Sequence, residues 1–345
     1  MHIEHYTDET AFEQLATEWE ALHAQSSTAT IFNSPTWCCT WWRHFGGLGR
    51  LHVVAARTES GQLVGLAPLV VTVDREQTPP QPVIRFVGRN DLCDYLDILI
   101  APGYEEAVVE HFIDAWLDLS CECELDLHTL PHTSPLLRTL PVLGRQRGLV
   151  VTRTVQDVCP VIPLPGTWSA YLEHLEAKSR RELRRKLRQA GQRAFTSWYY
   201  VTCPDQVAED LPTFFALHRS SGPEKAAFLD DRRENFFREV VPALASKGWV
   251  WLAFLQVNGQ PAAAYLCFDF RGEVQVYNSG LDPALATSLS PGWILLGYLI
   301  EHAIHLGYRR FNFLRGDEEY KFQFGARSEP VYHLRVVSHA QEAVR

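Results

Sequence analysis

Arg315, Gly316, Asp317, Tyr320 and Lys321 stand close together, immediately after the apolar run 309–314. The set combines a carboxylate that can take a proton, a phenol that can give one and cations that can hold an anion, which are the parts that proton-transfer chemistry requires. A second group lies one helix upstream. Ser290, Pro291 and Gly292 read as a helix start: a hydroxyl to cap, a proline at the first helical position and a glycine that lets a ligand approach the backbone. An open helix start presents unpaired N–H groups and a partial positive charge, a ready seat for a phosphate or pyrophosphate. Ser290, Pro291, Gly292 and Trp293 are the expected anion-binding residues, with Arg315 beyond them.

These groups need a helix and a strand to hold them. Trp293, Leu296, Ile300, Ala303 and Ile304 recur at helical spacing, and Gly307 supplies the stop. The run 309–314 then reads as a short strand that delivers the polar cluster. Upstream, 249–257 and 260–270 form a hairpin around Asn258 and Gly259, the strongest short turn signal in the chain. Residues 273–279 read as a third strand and 331–337 as the strand that closes the sheet. Helices are expected at 205–221 and 230–246.

The first half has its own pattern. Phe12, Leu15, Trp19 and Leu22 mark an amphipathic helix over 8–25. In IFNSPTWCCTWWRHFG, residues 31–46, Asn33 and Ser34 are capping residues and Pro35 suits the first turn, which places Trp37, Trp41 and Trp42 on a new helix. The tryptophans suit either an acyl or aromatic pocket, with Trp37 as a substrate-binding candidate, or a packing helix between domains. Strands are expected at 51–57, 63–73, 83–87, 95–100, in ELDLHTL and at 149–155, with Asp91, Asp94 and Asp97 around the fourth. Helices fit 104–119 and 134–147, and PVIPLPG, residues 160–166, reads as a linker.

A chain of 345 residues exceeds the usual single core, so two domains are expected, 1–165 and 166–345. The hairpins from 51 and from 249 superpose without a gap, matching Ala55 with Ala253, Gly61 with Gly259 and Gln62 with Gln260. The shared strand, turn, strand pattern predicts two similar α/β domains in tandem.

Positive charge is concentrated in one place. Lys178, Arg180, Arg181, Arg184, Arg185, Lys186, Arg188 and Arg193 face Glu182 alone, whereas the whole chain carries a net charge of −9. A solvated helix normally mixes signs, so this stretch reads as anion-binding, with Arg180 and Arg184 as candidates. Its partner would be a nucleotide phosphate, a nucleic-acid backbone or an acidic carrier protein; the alternative is a positive face that pairs with the protein's own acids. The overall charge argues against a surface made mainly for nucleic acid. No apolar run approaches the roughly 20 residues of a membrane helix and MHIEHYTDET lacks a signal-peptide pattern, which makes the cytoplasm the expected compartment. The eight cysteines form no C-x-x-C pair, and His302 and His305 have no third ligand in view, so no metal is expected and the thiols read as reduced and mostly buried.

Several of these stretches together resemble a family. Phe32, Asn33, Ser34 and Pro35 with Trp37, Trp41 and Trp42, the basic stretch from Lys178 to Arg188, Ser279 and Gly280 with Asp282 and Pro283, the run Ser290 to Gly292, and Phe313 to Asp317 with Tyr320 and Lys321 look like the CelD-like acetyltransferase group of the GNAT superfamily. That superfamily includes the FemAB-type aminoacyl transferases, which are also tandem GNAT domains. The resemblance implies an α/β (α+β) protein of two GNAT-like domains, each a mixed, mostly antiparallel sheet flanked by helices, with a splayed strand pair that admits a thioester. It implies acyl transfer from an acyl-CoA, or an acyl carrier protein thioester, to an amine-bearing small molecule or peptide. Two departures stand out: Asn312 occupies a position where relatives often place an aspartate, and Ser-Pro-Gly replaces the usual glycine-rich pyrophosphate loop.

An amine attacks a thioester only when neutral, and a lysine-like amine is almost wholly protonated near pH 7. The reaction therefore needs a base, donors for the oxyanion and an acid for the leaving thiolate. Asp317 is the first candidate base and Asp94, from the other half, the second. Tyr320 would protonate the thiolate and Lys321 would hold an anionic part of donor or acceptor. The competing arrangement is a salt-bridged turn in which Asp317, Arg315 and Lys321 pair with one another. A second function keeps the fold and takes aminoacyl-tRNA as donor, with the basic helix on RNA backbone; the net charge counts against it. A third is a non-catalytic partner in polysaccharide or lipid assembly.

Overall fold

The structure, a computed structural model, describes residues 1–74, 80–88, 91–118, 123–193, 195–286 and 289–338 and forms two units: Met1–Asp157 with Pro330–Arg345, and Val158–Glu329. The sequence reading placed a single break at 165. The observed division falls earlier because residues 160–163, read as a linker, continue a strand, and the last strand of the chain returns to the first unit.

Unit 1 runs β1 (His2–Tyr6), α1 (Ala11–Gln14), α2 (Ala16–Gln25), α3 (Pro35–Phe45), β2 (Arg50–Arg57), β3 (Leu63–Asp74), β4 (Gln81–Phe86), β5 (Leu99–Ile100), α4 (Glu105–Leu117), β6 (Glu124–Pro131), α5 (Leu136–Gln146) and the first part of β7 (Leu149–Pro163). The expected helix over 8–25 is broken at Leu15, and the strand expected over 95–100 is cut to two residues. The entry to α3 follows the capping signals: Thr30 and Asn33 form a reciprocal capping box, the Ser34 hydroxyl accepts the Trp37 N–H at 3.2 Å and Pro35 opens the helix. The sheet order is β1-β2-β3-β4-β6 and then the chain's last strand, Arg327–Ser338. Only β4 and β6 pair in parallel, at Val83 with Glu124 and Ile84 with Leu125. Helix α4 makes the crossover that a parallel pair requires.

Unit 2 takes over β7 at Val158 and continues with α6 (Trp168–His174), α7 (Ala177–Arg193), β8 (Thr196–Val201), α8 (Pro204–Ser220), α9 (Pro223–Phe228), α10 (Asp231–Ala245), β9 (Val250–Val257), β10 (Gln260–Phe270), β11 (Glu273–Leu281), α11 (Pro283–Ala286), α12 (Pro291–His305), β12 (Arg310–Asn312), α13 (Glu319–Gln323) and the start of β13 (Arg327–Ser338). Its sheet order is β7-β12-β11-β10-β9-β8. The β9–β10 hairpin turns at Asn258 and Gly259, both in the left-handed region, as a two-residue turn of that sequence demands. Helix α12 is apolar almost all round because it is buried, with Ile294, Leu295, Leu299, Ile300 and Ala303 inaccessible to water. Leu183 and Leu187 of α7 close one side of it, leaving Lys178, Arg181, Arg184, Arg185 and Arg188 outward.

Candidate active site in the second unit

The parallel pairing of β11 with β12 lasts three residues, Glu273 with Arg310 to Gln275 with Asn312. Beyond it the strands part. β11 continues to Leu281 on β10, while Phe313 N–H donates to Pro160 O at 2.9 Å and Gly316 N–H to Val158 O at 3.0 Å, drawing that segment toward β7. Asn312 makes the divergence: its Oδ1 accepts the Leu314 N–H at 2.8 Å and its amide donates to Glu273 at 2.9 Å. The neighbouring turn has φ 54° at Leu314 and φ 110° at Gly316, where a Cβ would lie 2.5 Å from Glu318 Oε2. Only glycine fits there. A bulge at Tyr277 adds to the local twist of β11, since Leu266 faces Asn278 while Cys267 faces Val276.

Helix α12 starts beside the far end of β11. Gly292 lies so close to it that a Cβ would stand 2.9 Å from Leu281 Cδ2 and 3.3 Å from the Tyr265 hydroxyl. Ser290 takes φ 54°, ψ 58° and makes no side-chain cap, so its hydroxyl is left to accept from Lys186 Nζ at 2.6 Å. The same ammonium lies 5.2 Å from the Trp293 ring centroid and 3.5 Å from Glu182. The first turn holds no acidic residue. A partial positive helix end with an ammonium beside it has a charge and geometry that could receive an anion.

The polar groups nearby belong to four elements. Tyr265 donates to Gly292 O at 3.4 Å; its phenol is driven well up the scale by burial and further by the charge of Tyr320. Burial, with the Glu318 charge behind it, likewise raises Tyr320 and keeps it protonated at neutral pH. Lys225 of α9 donates to the carbonyl and hydroxyl of Ser279 at 2.6 and 2.8 Å. Burial brings its ammonium down to about 8, against the opposing pull of Glu318. His218 is buried and neutral, lowered to about 4 by burial and the Lys225 charge; its ring N–H donates to Asn278 Oδ1 at 2.9 Å and Nδ1 has no partner among the described residues.

The residues singled out from the sequence fall into distinct settings. Ser290, Pro291, Gly292 and Trp293 form the helix start, and Tyr320 joins them through Tyr265. Asp317 is exposed and makes no bond among the described residues. Lys321 differs from expectation: 4% exposed, it donates to Arg315 O at 2.8 Å, Gly316 O at 3.0 Å and Glu318 Oε2 at 2.8 Å, so all three N–H groups hold the turn together and none is free for an anion. The expected mutual pairing of Asp317, Arg315 and Lys321 is replaced by this Lys321–Glu318 pair. On α7, Lys178, Arg180, Arg181, Arg184 and Arg188 make no ion pair among the described residues, whereas Arg185 pairs with Glu182 at 2.6 Å. It is Lys186, not Arg180 or Arg184, that meets the helix start. Asp94 and Trp37 belong to unit 1. Trp37 is inaccessible, edge-on to Phe32 at 5.0 Å with its N–H on Cys93 Sγ at 3.3 Å, and so has no face for a substrate. Lys225 and His218 carried no sequence signal, because their neighbours come from β11 and from the turn after β12. Cys38, Cys39, Cys93, Cys159, Cys203 and Cys267 are free, as expected, while Cys123 is disulfide-bonded.

Residues 177–322 match the family model described as an acetyltransferase (GNAT) domain. That span contains the helix start, Lys186, Lys225, Tyr265 and Tyr320, so the match falls within unit 2 and takes in the candidate site. No curated protein matches the sequence. Among solved structures the chain is similar to FemX, with 11% identity, TM-score 0.65 and 100% of this chain and 99% of that chain covered. It is also similar to the C-terminal domain of a protein described as a lysylphosphatidylglycerol synthetase from Agrobacterium fabrum (14%, 0.58, 96% and 94%) and to L-PGS from Bacillus licheniformis (13%, 0.55, 94% and 91%). At these identities the likeness is one of fold: two tandem GNAT-like units of mixed sheet and helices.

Proposed function

We propose that the protein is an N-acyltransferase of the CelD-like kind that moves an acyl group from an acyl-CoA, or an acyl carrier protein thioester, to an amine. The observation that carries this reading is the parting of β11 from β12 beside an acid-free helix start with Lys186 on Ser290. The donor's pyrophosphate rests on the amides at 290–293 and on Lys186, and its thioester lies along the open edge of β11. Tyr320, protonated at neutral pH, gives its proton to the leaving thiolate. Lys225, brought near 8, takes the proton of the attacking amine, because a base matched to the working pH does so best. Asp317, exposed to water, is the other candidate for that step. Arg180 and Arg184 guide the anionic donor or its carrier.

The test is a thermal-shift screen of coenzyme A thioesters from acetyl to long-chain, followed by single-turnover acyl transfer. Ligand binding to the native state raises the melting temperature, so at least one thioester is expected to do so, and Asp317→Asn then reports whether that carboxylate takes part. If no thioester shifts the melting temperature, the reading falls.

A second reading is favoured by Lys178, Arg180, Arg181, Arg184 and Arg188 of α7, which make no ion pair among the described residues, and by the fold shared with FemX. In it the donor is an aminoacyl-tRNA. Binding of tRNA that weakens steeply with salt, together with no response to thioesters, decides for this donor.

A further inference from the structure

Unit 1 holds a second polar centre. Strands β6 and β13 pair antiparallel, Leu130 with Tyr332 and Leu127 with Leu334, so His333 alone stands opposite His128 and Thr129. Thr129, a buried β-branched residue, takes φ 56° at this bulge. Left-handed backbone is costly for such a residue, and bulges of this kind re-aim side chains beside functional sites. Here His128 and His333 stack in parallel with ring centroids 4.1 Å apart. Their Nε2 atoms approach one carboxylate oxygen, Asp126 Oδ1, at 3.1 and 2.6 Å. Among the described residues this is a group of three metal-competent side chains whose ligand atoms all lie within 4.8 Å of one another.

The surrounding hydrogen bonds fix those atoms. Thr129 N–H donates to Gln156 Oε1 at 2.9 Å, which identifies that atom as the amide oxygen, and the same oxygen lies 3.3 Å from His128 Nδ1. An acceptor at that point calls for the N–H on Nδ1 and turns Nε2 toward Asp126 Oδ1, the arrangement that ligation of a metal through Nε2 requires. Arg85 Nε donates to Asp126 Oδ2 at 2.6 Å and turns Oδ1 toward the imidazoles. A carboxylate oxygen flanked by two imidazole Nε2 atoms is a cluster that a cation can complete. Nitrogen and oxygen ligands about 2.0–2.2 Å from a common tetrahedral zinc ion lie roughly 3.4 Å apart; the His128 contact is near that spacing and the His333 contact must open by under about 1 Å. Two imidazoles and a carboxylate are a donor set for borderline divalent ions such as zinc.

We propose that Asp126, His128 and His333 bind one divalent transition-metal ion, zinc, with Arg85 and Gln156 as positioning residues. Asp126 and His128 also line a cleft of about 600 Å³ whose walls include Trp41, Phe86 and Leu96. The coordination position that three-ligand zinc sites keep open therefore faces that cleft. The site uses unit 1 residues alone and does not depend on the acyl-transfer reading.

The full chain, stripped with a chelator, is titrated with Zn²⁺ by calorimetry and with Co²⁺ by visible absorption. One equivalent of each is expected, with ligand-field bands for cobalt that zinc abolishes. His128→Ala and His333→Gln, checked for folding by circular dichroism, lose the bands, while Gln156→Leu weakens binding by about 10- to 100-fold, as loss of an outer partner does. Should those variants fail to fold, zinc protection of His128 and His333 of the unaltered protein from diethylpyrocarbonate, read by peptide mass spectrometry, carries the test. Absence of stoichiometric binding, bands that persist in the folded double variant, or equal modification with and without zinc would each overturn the proposal.

Discussion

The two units repeat one plan and differ at one helix start. β2, β3 and β4 in unit 1, and β9, β10 and β11 in unit 2, are antiparallel meanders. Each is followed by a helix and then by a strand parallel to the third, β6 on β4 and β12 on β11. In unit 1 that helix is α4, whose first turn holds Glu105 and Glu106; Glu105 Oε2 accepts the Gly103 N–H at 3.0 Å. In unit 2 it is α12, with no acid in its first turn and Lys186 at its start. Carboxylates in a first turn answer the partial positive charge from within the chain, whereas the first turn of α12 has none to do so. On the proposed reading, repeating the architecture does not repeat the site, because the charge of a single helical turn would decide which copy attracts an anion.

That contrast can be broken most severely at Lys225. Lys225→Met is expected to lower the single-turnover rate by about 10²- to 10³-fold, the range for a lost proton acceptor, with thioester binding preserved. A binding loss equal to the rate loss would contradict the assignment. Next, Lys186→Glu gives α12 the charge of α4, and donor affinity measured by titration should fall by roughly 10- to 100-fold, as for an ion pair lost and reversed at a partly buried helix end.

The pH profile sharpens the same point. Since the base must be neutral, the rate should drop about tenfold for each pH unit below about 8 and level off above it, and this limb should vanish in Lys225→Met. The sign for stability runs in parallel: Lys225 costs the fold most below about 8, where folded and unfolded chains both carry the charge, and nothing above its unfolded value of 10.5. The unit 1 counterpart is Asp97, a fully buried carboxyl that burial pushes up to about 8 against the hydrogen bond from Ile98 N–H at 2.9 Å. Its cost grows as pH rises from 3.8 toward 8, so Asp97→Asn should raise the melting temperature by about 5 °C at pH 8 and hardly at all at pH 4. The smallest effect belongs to Glu105→Gln with Glu106→Gln. Donor affinity should stay within about twofold, because exposed charges far from a site contribute little, and a larger change would show that unit 1 holds the donor.

Much of this was legible in the chain. The Asn-Gly turn of β9–β10, the Ser-Pro-Gly start of α12 and the capping box before α3 are local chemistry, and their neighbours in sequence are their neighbours in space. Residues 160–163 were not, because Pro160 and Pro163 look like loop residues while strand pairing to β12 depends on partners some 150 residues away. Lys321 was misread for a related reason: its charge is visible in sequence, but the carbonyls that use it appear only once Leu314 and Gly316 turn. Lys186 stood within a recognised basic run, yet which of eight cations meets the helix start depends on how α7 packs against α12.

β13 supplies Leu334 and Val336, both inaccessible to water, to the sheet that β1 to β6 begin, and Arg335 pairs there with Glu124. Synthesis must therefore pass residue 336 before the sheet of unit 1 can close, whereas Val158–Glu329 already has every strand of its own sheet. A stop codon just after 329 should accordingly leave residues 158–329 as a protease-resistant fragment, with the residues of unit 1 digested away.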